Sequence, residues 1–312
     1  MILADFLVQS PVGLYCVYGD FYLDPKVPVK TAVISHAHGD HAFPGNGAVY
    51  CTKATSLFMK HRYRQNAAKQ FFLMDYKTSF TIKEVELSFI PAGHMLGSAQ
   101  VMMTYQGIRY LYTGDFKLQE DATCEPYEFV KADVLITETT FAHPDTQHPL
   151  PAGEMMKLNA TSANVMLGAY VLGKSQRLIH LINQYCPEKR ILIHHSVFPF
   201  LRIYEQEGIN FGHYELFDKK VMKSHGNIIY IVPPIVYNSN VKTLNVVKVF
   251  ATGWKDLQRA NQIQLYVSDH ADWLDIILTI SKVEPSQVWT THGSGHALKA
   301  HFGDHLMVKM LN

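Results

Sequence analysis

Cysteine is scarce in this sequence and never paired by spacing. Cys16, Cys51, Cys124 and Cys186 are scattered, with no Cys-x-x-Cys. That excludes the common redox and ribbon motifs, and it reads as reduced thiols in a cytoplasmic protein. Long apolar runs are missing too. None approaches the roughly 20 residues of a membrane span, so no membrane partner is expected. The stretch MILADFLVQSPVGLYC has no basic residue ahead of its short apolar segment, which argues against a signal peptide. There is no internal repeat and no low-complexity tract. Acidic residues are absent between Lys53 and Lys69, a stretch holding Lys60, Arg62 and Arg64. A solvated helix face would account for that run by itself.

Histidine, in contrast, is abundant at 17 residues in a chain of 312. Its densest cluster is His36-Ala37-His38-Gly39-Asp40-His41. The cluster follows the β-branched, apolar run Thr31-Ala32-Val33-Ile34 and precedes Pro44, Gly45 and Gly47. Four potential ligands therefore sit on a loop past a strand, where side chains can converge without helical spacing. Imidazole and carboxylate at this density suit zinc or a similar divalent cation. A metal-activated hydroxide is the first chemistry to expect.

The net charge of +1 hides an asymmetry. Residues 151–250 carry 11 Lys/Arg against 6 Asp/Glu, whereas the rest carries 17 against 21. A basic segment beside an acidic, ligand-rich remainder suits a polyanionic substrate.

Strand-like runs occupy 13–23, 31–35, 48–52, 85–90, 99–104, 109–112 and 134–137. A two-residue turn is expected between the runs ending at Tyr105 and starting at Ile108. Residues 53–68 and 164–184 read as helices. The prolines near 144–151 mark a boundary. Strands follow at 190–194, 227–232, 248–251, 264–267 and 288–291, with helices over 272–281 and 295–308.

The remaining ligand candidates also sit just past strands: His94 in Gly93-His94-Met95-Leu96-Gly97, Asp115 in Gly114-Asp115, His270 in Ser268-Asp269-His270-Ala271-Asp272, and His292 in Thr291-His292-Gly293. Strand ends are common places for functional residues. Each of these is weak alone, since turn histidines and Gly-Asp turns are ordinary. As a set they could enclose two metals with one bridging carboxylate. Asp24, before Pro25, is a strand end or a partner that orients a ligand histidine. Glu138 could be a plain acid at a strand end. His143, His148, His180, His194, His195, His213, His225, His301 and His305 read as structural or surface residues, and His296 stays undecided.

These motifs resemble the metallo-β-lactamase superfamily, whose signature is HxHxDH. The later phrases Thr137-Glu138-Thr139-Thr140-Phe141, Leu172-Gly173-Lys174-Ser175-Gln176-Arg177, Ser268–Asp272 and Thr291-His292-Gly293 are similar to its β-CASP nuclease branch. Gly19–Pro25 and Gly114-Asp115-Phe116-Lys117-Leu118 resemble the bacterial ligase-associated DNA damage response exonucleases most closely. The resemblance implies an α/β fold, an αββα sandwich over 1–144 and 251–312 with a β-CASP cap inserted at 145–250. It implies two divalent ions, zinc by default with manganese as the alternative. His36, His38 and His94 would hold one ion; Asp40, His41 and His292 the other; Asp115 would bridge. Catalysis would fall to Asp40 within the metal cage, to His270 as general acid and to Glu138 as its orienting partner. Lys174 and Arg177 would contact substrate. The implied activity is exonucleolytic phosphodiester hydrolysis in DNA repair, alongside an ATP-dependent DNA ligase and a helicase.

Two other enzymatic readings compete. One is RNA processing, because a histidine at position 292 is typical of RNA-processing members, whereas Artemis-like DNA nucleases have an apolar residue there. The other is hydrolysis of a small ester, thioester or lactam, against which stand the roughly 100-residue insert and the Glu138/His270 pair. A metal-stabilised nucleic-acid-binding protein is the non-catalytic alternative.

Overall fold

The computed structural model describes residues 1–224, 226–239, 246–259 and 261–311. His225 lies outside the described residues. The chain forms two compact units. The first comprises 1–120, 124–147 and 270–312; the second comprises 121–123 and 148–269.

The first unit opens with β1 (Leu7–Ser10), β2 (Gly13–Cys16), β3 (Phe21–Leu23), β4 (Thr31–Val33), β5 (Asn46–Cys51) and β6 (Ala68–Leu73), which form one sheet in that order. β1 to β3 run antiparallel; β3 to β6 run parallel. Residues 13–23 are thus a hairpin rather than one strand, because the chain reverses at 17–20, with Asp20 at φ 52°. Helix α1 (Lys53–Tyr63) starts at Thr52, whose side chain accepts from the Thr55 N–H.

Next come β7 (Phe80–Ile82), β8 (Val85–Pro91), β9 (Ala99–Tyr105), β10 (Ile108–Tyr112) and β11 (Val134–Glu138). Gln106 and Gly107 take φ of 47° and 77°, the two-residue turn expected between β9 and β10.

The second unit follows, with helices α2 (Pro151–Asn159), α3 (Lys174–Tyr185) and α4 (Phe198–Gln206) and strands β12 (Asn164–Gly168), β13 (Arg190–Ile193), β14 (Glu215–Leu216), β15 (Ile228–Val232) and β16 (Val246–Phe250). All its strand pairs are parallel, in the order β14-β13-β15-β12-β16. The helix expected over 164–184 is therefore corrected to a strand, a loop and a shorter helix. β12 lies between β15 and β16 and is apolar on both faces, so Val165, Met166 and Leu167 lack the period-2 alternation that marks a half-exposed strand. The strand expected at 264–267 contributes only a bridge from Leu265 to Ala251.

The chain returns to the first unit through a helix at Trp273–Val283, β17 (Gln287–Thr291), a helix at His296–Phe302 and β18 (Met307–Met310). The helix expected over 295–308 ends at Gly303, and its last residues instead pair as β18 with β17. The second sheet of this unit runs β18-β17-β11-β10-β9-β8-β7.

Alternation along the strands builds the layers. Tyr110 and Tyr112 of β10 and Val134 and Ile136 of β11 join a core with Leu14, Phe21, Leu23 and Val33 of the first sheet. Leu111 and Leu135, pointing the opposite way, pack with Ile276, Ile280, Val283 and Leu298 of the two C-terminal helices. Ala32 and Val49 pack with Met59 of α1 on the far face of the first sheet. The first unit is thus layered helix, sheet, sheet, helix, with one core shared by the two sheets.

This layering positions the centre. β8 and β10 are both antiparallel to β9, and β10, β11 and β17 are mutually parallel. The four strands therefore share a direction, and the loops after them emerge at one edge of the sheet. No helix among the described residues is long and apolar enough to cross a membrane.

Candidate metal centre

The hexad begins three residues past β4, and β3 ends beside it because the two strands are parallel. Asp24, just past β3, is buried and works as a hub. Its Oδ1 accepts from the Ser35 N–H at 2.7 Å. Its Oδ2 accepts from the Ser35 hydroxyl at 2.6 Å and the Tyr112 hydroxyl at 3.0 Å. The same oxygen lies 2.8 Å from His41 Nδ1. A carboxylate can only accept, so His41 carries its proton on Nδ1 and presents Nε2 to the centre. Ser35 has one hydroxyl proton, committed to Asp24. Its oxygen, 3.0 Å from His36 Nδ1, then accepts from that nitrogen, and His36 also presents Nε2.

Three imidazole nitrogens meet at one point. His36 Nε2 is 3.1 Å from His38 Nδ1, which is 3.0 Å from His94 Nε2. Tetrahedral ligands on one ion at about 2.0–2.1 Å would stand roughly 3.3 Å apart. The donor set and its spacing therefore fit a zinc-like ion. Asp115 completes this group.

Asp115 also belongs to a second group with His41 and His292. Its Oδ2 lies 3.3 Å from His41 Nε2 and 3.6 Å from His36 Nε2, so one oxygen faces both groups. His292 follows β17 with φ 51°, and the chain turns away at Gly293. A Cβ on Gly293 would fall 2.4 Å from the Thr139 carbonyl oxygen, which explains the His-Gly pair. Asp40 stands at the edge. Its carboxylate is 3.9 Å from His41 Nε2 and 79% exposed, and it joins none of the donor groups among the described residues.

A third group holds Asp115, Glu138 and His270. Glu138, the last residue of β11, is fully buried. Its Oε1 accepts from the Phe116 N–H at 2.8 Å, and its Oε2 lies 2.8 Å from His270 Nδ1. The Ala271 N–H donates to the Phe116 carbonyl at 2.6 Å, fixing the backbone beside His270. The proton of His270 is thereby drawn to Nδ1, leaving Nε2 for chemistry.

Electrostatics follow from this crowding. Burial opposes charge on Asp115, but His41 and His270 hold its carboxyl well below the usual range. Burial also opposes charge on His41, yet Asp115 and Asp24 raise its pKa well above the ordinary value. His36 is driven well below it, by burial first and then by His41 and His94. A proton and a metal ion compete for these nitrogens, and the carboxylates of Asp24 and Asp115 favour either cation.

Every expected ligand except Asp40 falls into a donor group, and Asp24 supports His41. Lys174 and Arg177 need correction. They are 5% and 1% exposed and are used inside the second unit, where they have almost no surface to offer a ligand. Lys174 donates to the Val267 carbonyl at 2.7 Å and pairs with Asp269 at 3.3 Å. Arg177 donates to the Ser268 carbonyl at 2.5 Å and pairs with Asp269 and Asp121. Ser35, Tyr112 and Lys117 carry no functional assignment from the sequence; the adjacency of Ser35 to the hexad and the place of Lys117 in the phrase Gly114–Leu118 are the signals that point to two of them. His143, His195, His213, His296, His301 and His305 are exposed, and His148, His180 and His194 are half-buried. None joins a donor group among the described residues.

No family model matches the chain. It is 30% identical over 305 residues to a probable DNA ligase of Opitutus terrae, covering 92% of this chain and 29% of that protein. It is 27% identical over 154 residues to the endoribonuclease ysh1 of Aspergillus fumigatus, covering 47% of this chain and 18% of that protein. The chain thus spans less than a third of either relative's length. A crystal structure of a protein of unknown function from Enterococcus faecalis superposes with a TM-score of 0.59 at 14% identity, covering 90% and 78% of the two chains. That likeness is one of fold.

Proposed function

We propose that this chain, a member of the β-CASP nucleases of the metallo-β-lactamase superfamily, is a two-metal phosphodiesterase, and that DNA is its substrate. The observation carrying this reading is one carboxylate, Asp115, shared by two histidine groups and flanked by the Glu138–His270 pair. The helix–sheet–sheet–helix layers then correspond to the superfamily sandwich. The parallel-sheet unit corresponds to the inserted cap, whose basic bias suits a phosphate backbone.

His36, His38 and His94 would hold the inner ion, and His41, His292 and Asp40 the outer one. Three imidazoles favour zinc at the inner position, whereas the carboxylates of the outer set also admit manganese. Bound there, the ions would supply Lewis acidity and lower the pKa of water from about 15.7 toward ~7. The remaining work belongs to the protein. Glu138 keeps the proton of His270 on Nδ1 and stabilises the imidazolium. His270 can then deliver a proton from Nε2 to the departing alkoxide. Phe116 holds Glu138, so the pair is oriented before substrate arrives.

The relative named a probable DNA ligase supports DNA, since a segment like this chain lies within a protein named for joining DNA ends. A nuclease that trims ends for such a ligase is the simplest pairing. The relative named an endoribonuclease supports RNA as the second reading. Digestion of end-labelled DNA and RNA of matched sequence, single- and double-stranded, with zinc or manganese, tests both. The expected result is stepwise shortening of DNA, lost in His36→Ala. Shortening of RNA alone would replace DNA with the second reading. If all substrates stayed intact, and His36→Ala behaved like the parent, the nuclease reading would fail.

A further inference from the structure

We infer that Lys117 is a positioning residue that locks the His94 loop into its metal-ready shape. The inference rests on the two-ion reading above. Lys117 lies two residues beyond Asp115 and is 1% exposed. Its ammonium donates to the Gly93 carbonyl and, at 2.8 Å, to the His94 carbonyl. The Cys124 thiol, 3.7 Å from the ammonium, donates to the same Gly93 carbonyl at 3.4 Å.

Burying an ammonium is costly, so a buried lysine persists where fixed acceptors hold it. Here the acceptors are consecutive carbonyls of the loop that carries a ligand. The other side of that loop is held separately, because the Ser98 hydroxyl oxygen accepts from the N–H groups of His94 and Met95 at 3.1 and 3.2 Å. Gly93, at φ 71°, lets the loop press onto the chain at Lys117; a Cβ there would lie 2.5 Å from the Lys117 carbonyl oxygen. One side chain thus ties the loop of His94 to the loop of Asp115, and these two residues share the inner donor group. Without the ammonium, two buried carbonyls lose a charged donor. The Gly93 carbonyl keeps only the weaker Cys124 thiol, the loop loses its charged anchor, and His94 Nε2 shifts with it.

The test is titration of the full chain with Co²⁺ and with Zn²⁺ against a competing chelator, following the cobalt visible spectrum. Lys117→Ala and the more nearly isosteric Lys117→Met are compared with the parent, each checked for folding by circular dichroism. We expect the inner ion to bind about 10–100-fold more weakly, the range for losing a group that orients a ligand. The outer ion should change far less. Methylammonium should restore inner-ion affinity and spectrum in Lys117→Ala, because it can refill the site between the carbonyls. Parent-like affinity for both ions in both variants overturns the inference while leaving the two-ion reading intact. Weakened binding that methylammonium does not restore assigns Lys117 to packing alone and overturns it too. A parent chain that binds neither ion removes the two-ion reading and the inference with it.

Discussion

The two ends of the metal centre are held very differently. At the inner end, His36 and His94 are buried, and His38 Nδ1 already stands 3.1 Å from His36 Nε2 and 3.0 Å from His94 Nε2. Ser35 backs His36, and Lys117 with Ser98 backs the loop of His94. At the outer end, only His41 is buried and backed, by Asp24. His292 is exposed on a left-handed turn residue, and Asp40 is open to solvent. A preorganised end binds an ion without having to order its ligands, whereas a looser end must order them as it binds. On the proposed two-ion reading, the inner ion should therefore be tight and structural in character, and the outer one exchangeable.

The largest effect that could break this contrast is removal of a deep ligand. His36→Ala should reduce activity to background and lower metal content at the inner position, measured by metal analysis after dialysis. Graded chelation of the parent should remove one ion before the other; simultaneous loss of both would erase the distinction. Next in size is His270→Ala, which belongs to neither end. It should lower kcat by about 10²–10⁴-fold, the usual worth of a general acid, with both ions retained. Loss of an ion in that variant would move His270 into the cage. Smaller again is Asp24→Asn, expected to weaken the outer ion by about 10–100-fold through His41 while sparing the inner one. Equal weakening at both would mean that Asp24 supports the whole centre through Ser35.

The smallest effect separates fold stability from ion binding. Asp275, in the first turn of the helix at Trp273–Val283, has its pKa pushed up to about 6, by burial first and then by Asp272. Its folded value exceeds its unfolded one, so the folded chain binds more protons between about pH 4 and 6. Stability should therefore fall as pH rises through that window and stay lower above it. A shift of this size is worth about 3 kcal/mol unscreened, or about 1 kcal/mol once discounted for its partly exposed site. Asp275→Asn should raise stability by that amount at pH 8 and change little at pH 4, in urea melts of metal-free protein. An unchanged melt at pH 8 would show that the charge is already relieved.

Much of the candidate centre was legible because its potential donors lie in short phrases after strands. The hexad, Gly-His, Gly-Asp and His-Gly each combine a metal donor with a turn, and a strand before a turn is a local pattern. The misread segments lack such a pattern. β12 is buried on both faces, so its apolar run looks like a buried helix. The helix of 295–308 failed at Gly303, beyond which the chain is claimed by an edge pairing with β17. Lys174 and Arg177 looked like substrate contacts because a basic side chain in a motif carries no mark of burial. Asp269 and the carbonyls of Val267 and Ser268 make them internal.

What the sequence by itself determined is the kind of chemistry: imidazoles and carboxylates at the ends of strands, in a chain with a basic segment. That information is local, written in residue type and in turn-forming neighbours. Only the tertiary structure decided which donors meet. Parallel β10, β11 and β17, with β8 running the same way, carry residues from His94 to His292 to the hexad, and the buried partners Asp24, Ser35 and Glu138 set which nitrogen keeps its proton. Strand order, direction and burial come from contacts between residues far apart in the chain, and no spacing along it encodes them.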